Sequence, residues 1–178
     1  MFLATGKLQS FSEQQLVDCS SSFGNEGCNG GLMDQAFQYI EKSPLELESA
    51  YPYTAQDGTC TFSADKGVGK VVSFVDVPAG SIDQLKAAIA KGPVSVAIEA
   101  DQMSFQSYHS GVITKGCGTN LDHGVLAVGY GTLNNVPFFL VKNSWGTGWG
   151  DQGYVRIGAQ PNTDVCGILD AASYPSSK

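Results

Sequence analysis

A histidine and an asparagine twenty positions apart are the residues of this sequence best suited to chemistry. They sit in "LDHGVLAVGYGTLNNVPFFLVKNSWG", where two strand-like runs, roughly 124–130 and 138–143, flank the turn-rich "GTLNNVP". Folded as an antiparallel hairpin, paired positions have a nearly constant sum. Centring the loop on Leu133, or between Leu133 and Asn134, sets His123 opposite Asn143 or Ser144. Cross-strand neighbours have Cβ atoms about 5 Å apart, close enough for their side chains to hydrogen-bond. An amide carbonyl that accepts the proton of one ring nitrogen orients the imidazole and leaves the other nitrogen for a nucleophile. The same spacing also suits a plain strand-edge histidine beside a turn asparagine. Ser144 is a poor nucleophile, because nothing beside it resembles a strained elbow or an oxyanion hole. Trp145 and Trp149 in "WGTGW" read as core or lid, and their position after Asn143 would let them shield such a hydrogen bond from water. His109 lacks any such setting and reads as a surface histidine.

The cysteines number five: Cys19, Cys28, Cys60, Cys117 and Cys166. Either none is bridged, or one is left without a partner in this chain. Cys28 stands among glycines in "NEGCNGG" with no helix start identified behind it, a weak setting for a nucleophile. Cys19 and Cys28 are too widely spaced for a zinc knuckle, and no histidine pair completes four ligands. No metal and no cofactor are expected.

The elements that must position these groups follow from composition and periodicity. The 178 residues are 42% hydrophobic and only 15% charged, the balance of a folded globular chain long enough for a substantial core. A net charge of −7 without a Lys/Arg cluster argues against a nucleic acid or an anionic lipid surface as partner. No apolar run is long enough to cross a bilayer, and "MFLATGKLQS" lacks the basic start and apolar length of a signal peptide.

Ser12 and Gln15 form a capping-box pattern ahead of Leu16 and Val17, and Ser81 and Gln84 form another ahead of Ile82, Leu85 and Ile89. Between them Leu32, Met33, Ala36, Phe37 and Ile40 recur at helical spacing, a stripe expected to face the core. From about residue 70 the pattern changes to the strand-like runs "KVVSFVDV", "VSVAIEA", "GVLAVGYG", "FFLVKN" and "GYVRIG". Helices followed by largely segregated strands predict an α+β protein, with a boundary near Gly67 to Lys70.

Several segments together resemble the papain-like cysteine peptidases, in particular the cathepsin L group. They are "TGKLQSFSEQQLVDCS", "NEGCNGGLMDQAFQYI", "ESAYPYTAQDGTC", "LDHGVLAVGYG", "FFLVKNSWGTGWGDQGYVRI" and "DVCGILDAASYP". The match runs in order through essentially the whole chain. It implies a two-lobe papain-like fold: a partial helical lobe over 1–70, a β-rich, barrel-like lobe over 71–172, and a tail over 173–178 returning towards the first. It implies His123 as catalytic base, Asn143 as its orienting partner and Trp145 as the aromatic lid. Gly30 and Gly31 match a backbone edge for an extended peptide; Leu32, Met33 and Ala171 match walls of an apolar substrate pocket. Asp122 and Trp149 match cleft residues near the histidine. Disulfides are implied for Cys19–Cys60 and Cys117–Cys166, and Cys28 matches a cysteine whose partner is absent, leaving it unpaired.

The resemblance also implies an absence. The family nucleophile lies in a CGSCW-type motif at the start of a long central helix, with an oxyanion-hole Gln just upstream. This sequence begins near the end of that helix, so most of it, the nucleophile and the Gln are expected to be missing. Two functions then follow: a cysteine endopeptidase completed by residues not present here, inactive as it stands, or a non-catalytic pseudoenzyme that binds within a larger assembly. The first takes peptides or proteins in extended conformation; the second needs a protein partner filling the gap left by the helix. Bridged cysteines would place either in an oxidising space, a lysosome, an acidic vacuole or the exterior, reached by a signal not present in this chain.

Overall fold

The structure is a computed structural model that describes residues 5–176. Residues 1–4, in the part of the chain where the end of that helix is expected, and the tail positions 177 and 178 lie outside the described residues. The chain divides into two compact units, 1–75 with 175–178, and 76–174.

In the first unit, helix α1 spans Glu13–Cys19 and helix α2 spans Met33–Lys42. Ser12 caps α1 as its spacing predicts, accepting from the Gln15 amide. Around it the unit is mostly loops, tied by buried side-chain amides as well as by the buried Tyr39, Ile40 and Tyr51. Gln15 is fully buried: its Nε2 donates to the Tyr39 hydroxyl at 2.9 Å, and its Oε1 accepts from the Glu46 amide at 2.7 Å. Gln14 reaches Asp18, the Gln56 carbonyl and the Thr54 amide. The Glu46 amide is buried and would otherwise be unpaired, while the bonds to Thr54 and Gln56 pin exposed loop backbone to the helix. Cys19 is bridged to Cys60. The stripe expected on α2 is corrected at its start. Leu32 precedes the helix and is 62% exposed, whereas Tyr39 and Ile40 at the far end are the buried residues.

The second unit carries most of a six-stranded sheet in the order β1-β6-β2-β3-β4-β5. The strands are β1 Ser73–Asp76, β2 Val94–Ile98, β3 His123–Leu133, β4 Val136–Lys142, β5 Tyr154–Gly158 and β6 Ala172–Ser176. Val94, Val96, Ile98, Phe139, Val141, Val155 and Ile157 are fully buried and alternate along their strands, as a half-buried sheet requires. Helix α3, Ile82–Ile89, caps on Ser81 and lays Leu85, Ala88 and Ile89 into the same core. Strand β6 was not expected. Its residues are Ala-Ser-Tyr-Pro-Ser, without the apolar alternation of a strand; it is held by pairing Ala172 and Ser173 with Val96 and Ser95 of β2. Cys117 is bridged to Cys166.

One half-buried carboxyl gives this unit a dependence on pH. Asp164 accepts the Leu169 amide on Oδ1, while its buried Oδ2 has no hydrogen-bond partner among the described residues. Burial raises its pKa to about 6, against the pull of the Leu169 hydrogen bond and with a contribution from the neighbouring Asp170. The folded chain thus holds the proton more tightly than the unfolded one. The stabilisation is complete below the ordinary value of 3.8 and is lost as pH rises through about 6. Asp164→Asn is expected to flatten the melting-temperature profile between those limits and to add about 1 kcal/mol at neutral pH, after discounting for its partly exposed setting. Equal slopes for both proteins in thermal melts across pH 4 to 7 would contradict this.

Candidate active site

His123 opens β3, and Asn143 follows the last residue of β4. The hairpin between them turns on Asn134 and Asn135 alone, both in the left-handed region with φ of 49° and 66°. The loop is therefore shorter than "GTLNNVP" suggests, and its centre is a residue or more later. A bulge between Ala127 and Gly129 then shifts the register by one. Continued from Leu126↔Lys142, the ladder would set His123 level with Trp145 rather than Asn143. The pair meets diagonally instead, because Asn143 has left the ladder and anchors its amide to the Gly153 carbonyl at 2.9 Å.

His123 Nε2 lies 2.8 Å from Asn143 Oδ1. The direction of this bond is settled by its neighbour: the Ser144 amide also donates to that atom at 2.8 Å, so it must be the carbonyl oxygen. An acceptor opposite Nε2 requires the proton on Nε2, which leaves Nδ1 with its lone pair for another group. Ser144 thus contributes through its backbone and not as a nucleophile. Asn143 is 7% exposed. Its Nδ2 is buried without a partner among the described residues, so the amide is held for the bond its oxygen makes.

An aromatic cluster covers this pair. The Trp145 ring stacks on the imidazole at 5.1 Å between centroids with planes 30° apart. Trp149 meets Trp145 edge-on at 5.3 Å and donates Nε1–H to the Gln106 carbonyl at 2.9 Å. Phe105, on the short helix α4 over Met103–Gln106, is fully buried and lies within 4.9 Å of Trp149, 5.4 Å of Trp145 and 6.4 Å of His123. Trp145 is 43% exposed and forms the outer face. Such a cover lowers the local dielectric and protects the hydrogen bond from exchange with water. Phe105 carries no signal in the sequence, since nothing local distinguishes it from any other apolar residue.

The other candidates lie apart along the chain. Asp122 is exposed, with its Oδ1 accepting the Ala100 amide at 2.7 Å. Ala171 is half-buried and accepts from the Ala97 amide. In the first unit, Gly30 has φ 115° and ψ −169°, a conformation that only glycine adopts readily, with nothing within 4 Å of where a Cβ would stand. A Cβ on Gly31 would collide with Asn25, whose Oδ1 accepts the Leu32 amide at 3.0 Å. These residues present bare backbone followed by the exposed Leu32 and the half-buried Met33. Cys28 is free and exposed. Partial desolvation, then the Asp57 carboxylate that accepts its amide, pushes its thiol above the ordinary value, the reverse of what a nucleophilic thiolate needs. Among the described residues no group of three or more His, Cys, Asp or Glu side chains could hold a metal ion.

The family model described as "Papain family cysteine protease" matches residues 1–176. The chain belongs to the papain family. Among the family's cathepsin L-like members it is 51% identical to procathepsin L of Mus musculus, over 98% of this chain and 54% of that protein. It is 54% identical to a cathepsin L-like peptidase of Aedes aegypti, over 98% of this chain and 52% of the relative. The chain thus spans about half the length of these curated relatives. The structure of digestive procathepsin L 3 from Tenebrio molitor larval midgut superposes with a TM-score of 0.92 at 46% identity, covering 98% of this chain and 58% of that one. The fold is therefore the papain-like α+β fold, reached from the segments quoted above and from the sheet alike.

Proposed function

We propose that this chain is the histidine- and asparagine-bearing part of a papain-family cysteine endopeptidase, whose nucleophilic thiol and oxyanion-hole glutamine come from residues outside these 178. The observation that carries the reading is the oriented imidazole: Nε2–H held by Asn143 Oδ1, with Nδ1 left free to take a proton.

With a thiol beside Nδ1, His123 takes the S–H proton, and the thiolate attacks the carbonyl carbon of the scissile peptide bond. The imidazolium, stabilised by its bond to Asn143, returns that proton to the leaving amine as the C–N bond breaks. The imidazole then removes a proton from water, whose oxygen attacks the acyl-enzyme and releases the acid as the proton returns to sulfur. In the first unit Gly30 and Gly31 offer backbone groups to an extended peptide and Leu32 and Met33 offer apolar surface; in the second, Ala171 offers apolar surface of its own. Disulfides suit an oxidising compartment, consistent with a lysosome, a vacuole or secretion.

None of the chain's own cysteines is suited to the nucleophile's role. Four are in disulfides and the fifth has a raised thiol pKa. The chain alone is therefore expected to cleave no peptide and to remain unlabelled by an epoxysuccinyl inhibitor. Joined to the thiol-bearing N-terminal segment of a cathepsin L-like relative, it is expected to label stoichiometrically and turn over a peptide substrate. Labelling at Cys28 with turnover would overturn the proposal, and a folded, joined protein that neither labels nor cleaves would favour a non-catalytic binding role.

A further inference from the structure

We infer that Glu99 is a positioning residue for His123, setting the start of β3 and through it the direction of the imidazole.

The segment that leads into His123, from Cys117 to Asp122, has no regular secondary structure. Left to itself it would let the first residue of a strand fray. Three consecutive residues at the end of β2 hold it instead. The Ile98 carbonyl accepts the Asp122 amide at 3.0 Å, Glu99 Oε2 accepts the Asn120 amide at 3.0 Å, and the Ala100 amide donates to Asp122 Oδ1 at 2.7 Å. Ile98 is also the register partner of His123 itself. The middle grip is the only one made by a side chain from β2's end.

Glu99 is an unusual residue for this place. It is 7% exposed, and among the described residues it forms no ion pair. Burying a carboxylate without a cation costs free energy, so its retention needs hydrogen bonds that use both oxygens. Oε2 holds Asn120, and Oε1 accepts from Gln102 Nε2 at 3.1 Å. The backbone of Glu99 is fixed as well, donating to the Cys166 carbonyl at 2.8 Å. Cys166 is the disulfide partner of Cys117, which begins the segment. The fit leaves no slack, because a Cβ on Gly118 would stand 2.7 Å from Glu99 Oε2. One carboxylate thus joins β2, the disulfide and the approach to His123. Gln102 lies at the N-cap of α4, the helix that carries Phe105 under the imidazole, so the same group ties both supports of the histidine together.

The inference rests on His123 being the working base, and its test is chosen to be separable from that reading. The His123 Nε2–H resonance, shielded by its bond to Asn143, is followed by nitrogen-resolved NMR on the 178-residue chain. Glu99→Ala, which orphans the Asn120 amide, is expected to shift that resonance and speed its exchange with water at least tenfold. Glu99→Gln keeps an acceptor for Asn120 and, with the Gln102 amide turned over, a partner for the other atom, so exchange is expected to stay within about twofold of the parent. Gly118→Ala, which displaces the carboxylate without removing it, is expected to act like Glu99→Ala and serves where that variant does not fold. A lower melting temperature with an unmoved imidazole resonance in either folded variant would overturn the inference. Turnover that survives loss of His123 in the joined enzyme would sink the base assignment while leaving the imidazole result standing.

Discussion

Replacing His123 with alanine in the joined enzyme is expected to lower kcat/KM by about 10⁴-fold, with substrate binding little changed. The size follows from the number of proton transfers that depend on one side chain. The imidazole takes the thiol proton, returns it to the leaving amine, and repeats the exchange with water. General acid–base participation in a single step contributes roughly 10²–10⁴-fold, and here the same group also sustains the nucleophile. Asn143→Ala should lie between the variant and the parent, at a loss of about 10²-fold, because the imidazole remains but its Nε2 proton is no longer anchored. The check is steady-state kinetics on both variants with active-site titration of the parent. Loss confined to KM would show that His123 binds substrate and does not transfer its proton.

Phe105→Ala is expected to have the largest effect on the fold, lowering stability by about 3–5 kcal/mol. The side chain is fully buried in the core of the second unit, and its removal opens a cavity that three aromatic neighbours line. Rigid rings collapse poorly into such a space, which places the cost toward the upper end. The edge-on contacts with Trp145 and His123 and the tilted contact with Trp149 add roughly 0.5–1.5 kcal/mol per pair beyond burial. The same change should loosen Trp145 over the imidazole, so a red shift of tryptophan emission is expected in the folded variant. Phe105→Leu, which refills much of the volume, should recover most of the stability but little of the ring stacking. Chemical denaturation gives the first quantity, and equal losses for the leucine and alanine variants would show that packing volume is not what Phe105 supplies.

The outcomes at particular residues show how far the linear pattern reaches. The N-caps at Ser12 and Ser81 were legible because a cap is a local device, and both seryl oxygens accept the amide three residues on; the rest of the box expected at Ser12 is not formed, because Gln15 turns its side chain to Tyr39 and Glu46. The alternation of β2 to β5 was legible because one face of the sheet packs on a single core. Strand β6 was not, since Ala-Ser-Tyr-Pro-Ser lacks apolar alternation and forms a strand because β1 and β2 flank it. Leu32 was assigned to a core stripe by its spacing, yet the helix begins one residue later and leaves it exposed. The loops of the first unit were unreadable for a similar reason: Gln14 and Gln15 look like surface residues of an amphipathic helix, and their burial depends on loop carbonyls and amides distant in sequence.

His123 and Asn143 divide along the same line. Their residue types, their strand-like flanks and the Asn-Asn turn lie within one hairpin, and local chemistry is enough to bring two strands together. The sequence alone therefore determined the candidate pair, the α+β class and, through six ordered segments, the resemblance to the papain family. Which atoms meet was decided by tertiary structure. The ladder set by the two-residue turn leaves the asparagine out of line with His123 even after the bulge draws it one residue nearer, and the Gly153 carbonyl, the Ser144 amide, the Phe105 ring and the Glu99 carboxylate bring the pair together from elsewhere in the chain. Register and orientation are sums of many weak, long-range contacts, so they become definite only once those contacts have formed.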